Sequence, residues 1–271
     1  MFDEETTMKS RWIAVALSML LGAFCSVSQA QAPASVGNSR LDAVIKSGTL
    51  RVCTTGDYKP YTFLRPDGQF EGIDIDLAKS LAASLGVKAD FVKTTWPHLM
   101  SDFLADKCDV AVGGISVSLE RAKRVYFSHV VMVDGKSPIA RCADVKKYQT
   151  LAQLDRPSVR AIFNPGGTNE KFARAYLSKA HLIEYPDNVT IFDQIVKGKA
   201  DVMVTDTSET LLQHKLHPTL CPVNPGKPLQ YGEKAYMLPM GDNVFRAYVD
   251  QWLHLTKATG AYQKVVDKWL K

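Results

Sequence analysis

Apolar positions along this chain switch repeatedly between two periods. Short β-branched and aromatic runs give way to stretches with an apolar residue every third or fourth position, and this alternation predicts an α/β fold with largely parallel sheets. Residues 50–54 are the first strand-like run. Over 74–85, Leu77, Ala78, Leu81, Ala82 and Leu85 fall on one helical face, and Gly86 ends the helix. Between them, Arg65-Pro66-Asp67-Gly68 reads as the turn of a short hairpin. A strand at 91–94, a helix at 99–104 and a strand at 109–112 complete a first series.

A second series opens with a strand at 158–163 and repeats the plan. Lys107-Cys108-Asp109-Val110-Ala111-Val112 is echoed by Lys199-Ala200-Asp201-Val202-Met203-Val204, each after an amphipathic helix and before a polar loop. Two lobes of similar build are therefore expected. After Tyr236 the pattern is mostly helical. Phe245, Val249, Trp252 and Leu253 share one face there, with Val265, Val266 and Trp269 on the last helix, so this tail is expected to return and cover the first lobe. Ligands of such sheets bind at loops leaving the carboxyl ends of strands. That directs attention to the loops after Thr54, Val112, Phe163 and Val204.

The first thirty residues change the picture. Lys9 and Arg11, the apolar run 12–27 and Ser28-Gln29-Ala30 have the layout of a cleavable secretory signal, with cleavage expected after Ala30 and Met8 a plausible start. The run is short for a bilayer span, and bulky Phe24 before Cys25 argues against lipidation, so no membrane anchor is expected. The remainder has the composition of an ordinary globular protein in a chain that is 23% charged and 46% apolar. Its formal charge of +5 is spread along the chain without a basic, aromatic-interleaved run, which suits small anions and not nucleic acid. Cys53, Cys108, Cys142 and Cys221 lack the paired spacing of a zinc or iron-sulfur site. Export favours a disulfide for whichever pair is close in space. Cys53, in a predicted strand, and Cys108, just before one, read as two buried free thiols.

Several loops carry chemistry. After Gly113-Gly114-Ile115, Ser116, Ser118 and Arg121 enter a helix; free N–H groups and a guanidinium there make a carboxylate site, unless Ser118 merely caps the helix and Arg121 is solvated. Asn164-Pro165-Gly166-Gly167-Thr168 is a second anion-binding turn or an ordinary capped one; it lacks the ending of a nucleotide loop. Asp206-Thr207-Ser208-Glu209 has the spacing of a capping box, a structural pattern, but sits where a ligand-facing loop is expected. Asp57, Tyr58 and Trp96 add an acid and two rings to the same mouth, with core packing the other reading of Trp96. His214 and His217 lack a third ligand and read as surface histidines, so no metal and no cofactor are expected.

From Arg40 onward the chain resembles the periplasmic solute-binding proteins of the amino-acid type, through the turn 116–121, Tyr126-Phe127-Ser128 and the glycine-Thr168 turn. It is closer still to the cyclohexadienyl dehydratases built on that fold. Thr54-Thr55-Gly56-Asp57-Tyr58-Lys59-Pro60, Gly114-Ile115-Ser116, Asp134-Gly135-Lys136, the run 164–173 and Pro186-Asp187-Asn188-Val189-Thr190-Ile191-Phe192 carry that likeness. The resemblance implies a two-lobed periplasmic binding protein-like (type II) α/β fold with two interlobe crossovers, near 133–136 and 228–232. Lobe 1 would span 39–134 and 231–271, and lobe 2 would span 135–230. It further implies a Cys142–Cys221 disulfide.

The activity it implies is loss of water and carbon dioxide, from prephenate to phenylpyruvate and from arogenate to phenylalanine. Aromatisation drives that reaction, so the protein has to hold the acid groups and protonate the leaving hydroxyl. Carried over, Glu209 is the general acid, and Arg121, helped by Ser116 and Thr168, grips a substrate carboxylate. Lys136, Asn164, Trp96 and Asp57 line the cleft. Asp206 meets the ligand ammonium in the receptors and is retained here. The second reading is a non-catalytic amino-acid receptor of an ABC transporter, with a lyase acting on another small carboxylate a distant third. Glu209 discriminates, since a receptor has no use for a protonatable carboxylate over its ligand.

Overall fold

The computed structural model describes residues 39–270; the signal-like leader lies outside them. Among the described residues no helix is long and apolar enough to cross a membrane. The first sheet runs in the order Lys88–Lys93, Thr49–Thr54, Val110–Ala111, Met237–Leu238, Tyr126–Phe127. Its first three strands are parallel, and Met237–Leu238 is antiparallel to both neighbours. The second sheet runs His181–Glu184, Arg160–Phe163, Val202–Asp206, Met132–Arg141, Leu220–Pro222. Strand Gln230–Lys234 also pairs with Met132–Arg141, antiparallel, with Tyr231 opposite Gly135. These two paired segments carry the chain from the first sheet to the second and back.

Helix Ile73–Ser84 buries Leu77, Ala78 and Leu81 completely, as the 3.6-residue spacing of its apolar positions requires. That face packs with Leu50, Val52 and Val110 of the first sheet, and truncation of such a side chain, Leu81→Ala, costs about 2–5 kcal/mol. The helical tail, Asn243–Ala258 and Ala261–Leu270, brings Phe245, Val249, Trp252, Leu253 and Val266 into the same core. A separate core around Phe163, Phe172 and Val202 supports the second sheet.

The cysteine reading needs one correction. Cys53 and Cys108 are not free thiols but a disulfide, with Cα atoms 5.6 Å apart. Strand register explains it. Val52 lies opposite Val110, and the Asp109 N–H donates to the Arg51 carbonyl, so residue 108 is held beside the strand bearing Cys53. Sequence spacing does not display that register. The Cys142–Cys221 pair is also bridged, where Cys221 lies opposite Ala140 and Leu220 opposite Arg141.

Candidate active site

The loop after Val110–Ala111 is shaped by a buried acid. The Gly113 and Gly114 N–H groups donate to Asp74 Oδ2 at 2.9 and 2.6 Å, while the Tyr236 hydroxyl donates to Oδ1 at 3.1 Å. Gly114 has φ +70°, and a Cβ there would lie 2.6 Å from carbons of the Tyr58 and Tyr61 rings, so the backbone passes flat against both. Ser118 does cap the short helix Leu119–Ala122, accepting from the Arg121 N–H at 3.2 Å. Arg121 is nevertheless no solvated charge. It is 7% exposed, and its Nη1 donates to the Ser116 carbonyl at 2.9 Å. Burial lowers its pKa, and among the described residues no carboxylate lies within ion-pair distance of it.

A buried charge cluster joins the two sheets. Lys136 lies opposite Asp206 in antiparallel register, which sets its Nζ 2.9 Å from Asp206 Oδ1. Lys234, 2% exposed, makes a second ion pair with Asp206, and the Tyr58 hydroxyl donates to the same carboxylate. Burial alone would raise the Asp206 pKa, but the two ammonium groups hold it well below the usual carboxylate range. Lys136 donates to Thr168 Oγ1 at 3.0 Å and to Asn169 Oδ1; burial lowers its own pKa. Ser116 Oγ accepts from Lys234 Nζ at 3.0 Å and from Thr168 Oγ1 at 3.3 Å. Ser116 from a loop, Lys136 and Asp206 from two strands and Thr168 from the start of helix Thr168–Tyr176 thus meet in one cluster.

The capping box at 206–209 does not form. Asp206 is the N-cap residue of helix Thr207–Leu216, yet its side chain makes no capping bond because the lysines hold it. Asp134, from the adjoining strand, supplies the cap by accepting from the Ser208 N–H at 3.2 Å and the Ser208 hydroxyl at 2.5 Å. Glu209 is therefore free of the helix start. It is 1% exposed, and its Oε2 accepts from Thr205 Oγ1 at 2.5 Å. Burial pushes its pKa up to about 8, with the negative charge of Asp206 adding to the rise and Thr205 and the two lysines opposing it. At neutral pH it is mostly a neutral carboxylic acid.

A cleft of about 290 Å³ opens over Ser116, Lys136, Thr168 and Asp206. It narrows inward past Tyr58, Trp96, Asn164 and Asn169. Trp96 stands edge-on to Tyr58, with ring centroids 5.6 Å apart, and its buried ring N–H lies beside the Asp57 carboxyl. Asn164 Oδ1 accepts from Asn169 Nδ2 at 3.2 Å. The walls touch across the cleft: a Cβ on Gly166 would lie 2.4 Å from Pro97 N, and Asn188 Nδ2 donates to the Asp57 carbonyl at 3.0 Å. Asp57 is half-buried behind that contact, its pKa raised by burial. His214 Nδ1 lies 3.9 Å from Cys221 Sγ, but sulfurs bonded to each other offer a metal no thiolate.

Sequence reasoning missed Lys234, Asn169, Thr205 and Asp134. Lys234 had a faint signal, a cation heading the buried run Ala235-Tyr236-Met237-Leu238. Asp134 stood out only as part of the Asp134-Gly135-Lys136 run, and its capping role could not be read because it depends on the neighbouring helix start.

Residues 50–271 match the family of bacterial extracellular solute-binding proteins, family 3. A cyclohexadienyl dehydratase of Pseudomonas aeruginosa is 51% identical over 247 residues, which is 91% of this chain and 92% of that protein. Among solved structures, an ancestral amino-acid-binding protein described as a precursor of cyclohexadienyl dehydratase superposes with a TM-score of 0.80 at 35% identity, covering 86% of this chain and all of that one. An ancestral cyclohexadienyl dehydratase is 53% identical with a TM-score of 0.56, covering 87% of this chain and 98% of that one.

Proposed function

We propose that this chain, which belongs to the bacterial extracellular solute-binding proteins of family 3, works in the periplasm as a cyclohexadienyl dehydratase, converting prephenate to phenylpyruvate and arogenate to phenylalanine. Its leader, residues 1–30, is removed on export. The observation that carries this reading is Glu209: a carboxyl group, fully enclosed by protein and neutral at pH 7, standing beside a cluster of cations able to hold substrate carboxylates.

The chemistry follows from those charges. Arg121, Lys136, Ser116 and Thr168 grip the acid groups of the substrate, with Trp96 and Asn164 lining the space about its ring and Asp57 behind it. Glu209 gives its proton to the departing hydroxyl, which leaves as water. The bond to the ring carboxylate then breaks, carbon dioxide departs, and its electron pair completes the aromatic ring. Proton donation of this kind contributes about 10²–10⁴-fold. Asp206 remains ionised, balancing Lys136 and Lys234 and keeping Glu209 protonated. Purified protein incubated with prephenate should yield phenylpyruvate, read by its absorbance in alkali; binding of prephenate without conversion would return the chain to the receptor reading.

A further inference from the structure

Glu209 also lines a second cavity of about 190 Å³, large enough for several waters. Asp57, Asn188, Gln213 and Glu209 line it, together with the charged or titratable Lys59 and His217. Two of these carry a buried oxygen with no hydrogen-bond partner, Asn188 Oδ1 and Gln213 Oε1, whereas the Asp57 carboxyl has the Thr55 hydroxyl and the Trp96 ring N–H beside it as donors. Asn188 and Gln213 are 4% and 6% exposed, so bulk solvent does not solvate them directly. A buried acceptor left unpaired is costly, and two around one void call for donors inside it. The rim is different. Val189 and Leu216 are 48% and 49% exposed, so the cavity reaches the surface there.

We infer that this cavity holds a chain of water that returns a proton from solvent to Glu209 after each turnover. The inference rests on the dehydratase reading, in which Glu209 is the acid. The balance requires such a route: dianionic prephenate and one proton give the phenylpyruvate anion, water and carbon dioxide, with no change of oxidation by an outside agent. The proton comes from Glu209, leaving a carboxylate enclosed by protein. Its Oε2 is occupied by Thr205, while Oε1 makes no hydrogen bond among the described residues. Water in the cavity passes a proton to the carboxylate and is itself re-protonated by a solvent acid at the rim. Gln213 holds the waters and borders no part of the cleft, so it is a positioning residue, while Asn188 borders both spaces.

Gln213→Leu keeps the size of the side chain and removes the acceptor. Because re-protonation follows the irreversible loss of carbon dioxide, it should lower steady-state kcat about tenfold while leaving kcat/KM and the rate of the first turnover unchanged. Imidazole buffer, a small acid able to enter the cavity, should restore kcat in proportion to its concentration. Val189→Trp, which narrows the mouth from an exposed position, should give the same pattern and serves if the first variant does not fold. Unchanged kcat in the folded variants overturns the inference, as does an equal fall in kcat and kcat/KM without rescue by imidazole, the signature of a disturbed Glu209. Failure of the wild-type protein to make phenylpyruvate is a separate result, and removes the dehydratase reading itself.

Discussion

Asp206 and Glu209 stand three residues apart at one helix start and are held in opposite protonation states, the first ionised between two buried ammonium groups and the second neutral beside a threonine hydroxyl. Environments that push two neighbouring carboxyl groups apart in this way are a recurrent means of separating an acid from a fixed charge. Asp134 makes the separation possible here by taking over the helix cap.

The first consequence is a pH dependence. With its pKa raised from 4.5 to about 8, Glu209 is a proton donor below that value and an ion above it. kcat/KM for prephenate should be level near pH 7 and fall about tenfold per unit well above pH 8. The same shift affects stability. The raised folded pKa makes the contribution fully present below about 4.5 and lost as pH rises through about 8. Urea unfolding should therefore show wild-type protein losing stability relative to Glu209→Gln across that window, at up to about 1.4 kcal/mol per pH unit. A constant difference would mean that Glu209 is ionised in the folded protein.

Asp206→Asn leaves Lys136 and Lys234 buried without their shared counter-charge. Denaturant titration should show a loss of about 3–5 kcal/mol. In the folded fraction the alkaline limb of the pH–rate profile should move to lower pH, because the anion that helps keep Glu209 protonated is gone. A limb that stays in place would show that Asp206 does not act on the acid.

Arg121→Ala should raise the Michaelis constant about 10- to 100-fold, since it removes a charge-assisted donor from a carboxylate already present in the ground state. Arg121→Lys should recover only part of this, because an ammonium cannot make the paired bonds of a guanidinium. Initial rates over a range of prephenate concentrations decide it, and an unchanged constant would remove Arg121 from the site.

Both disulfides close long loops, with 55 and 79 residues of separation. In the chain-entropy account each stabilises the fold by about 4 kcal/mol, so Cys53→Ser and Cys142→Ser should each lower the unfolding midpoint substantially. Peptide mapping of protein exported to an oxidising compartment should recover two bridged pairs; free thiols at 53 and 108 would contradict the fold around the first sheet.

Periodicity made most of the architecture legible. The apolar faces of Ile73–Ser84 and Asn243–Ala258 were plain because one side of each helix is buried and the other wet. The loop that begins with Gly113-Gly114 was visible as glycines leaving a strand, but not the Asp74 carboxylate that fixes them, which lies 39 residues away. Contacts between distant segments were the part that pattern does not carry. The Cys53–Cys108 bridge depends on strand register, and the release of Glu209 from a capping box depends on Asp134 of the adjoining strand. Lys234 was nearly hidden, because a cation heading the apolar run Ala235-Tyr236-Met237-Leu238 is only a faint sign of a buried lysine.

The central claim is that Glu209 donates the proton that makes this fold an enzyme. Glu209→Gln keeps the size of the side chain and much of its hydrogen bonding but has no acidic proton to give. With prephenate as substrate, turnover and equilibrium binding of the folded variant should be measured side by side. The account predicts that turnover falls by about two to four orders of magnitude while prephenate still binds. Near-normal turnover with intact binding would contradict it, leaving Glu209 a structural residue and the source of the proton elsewhere.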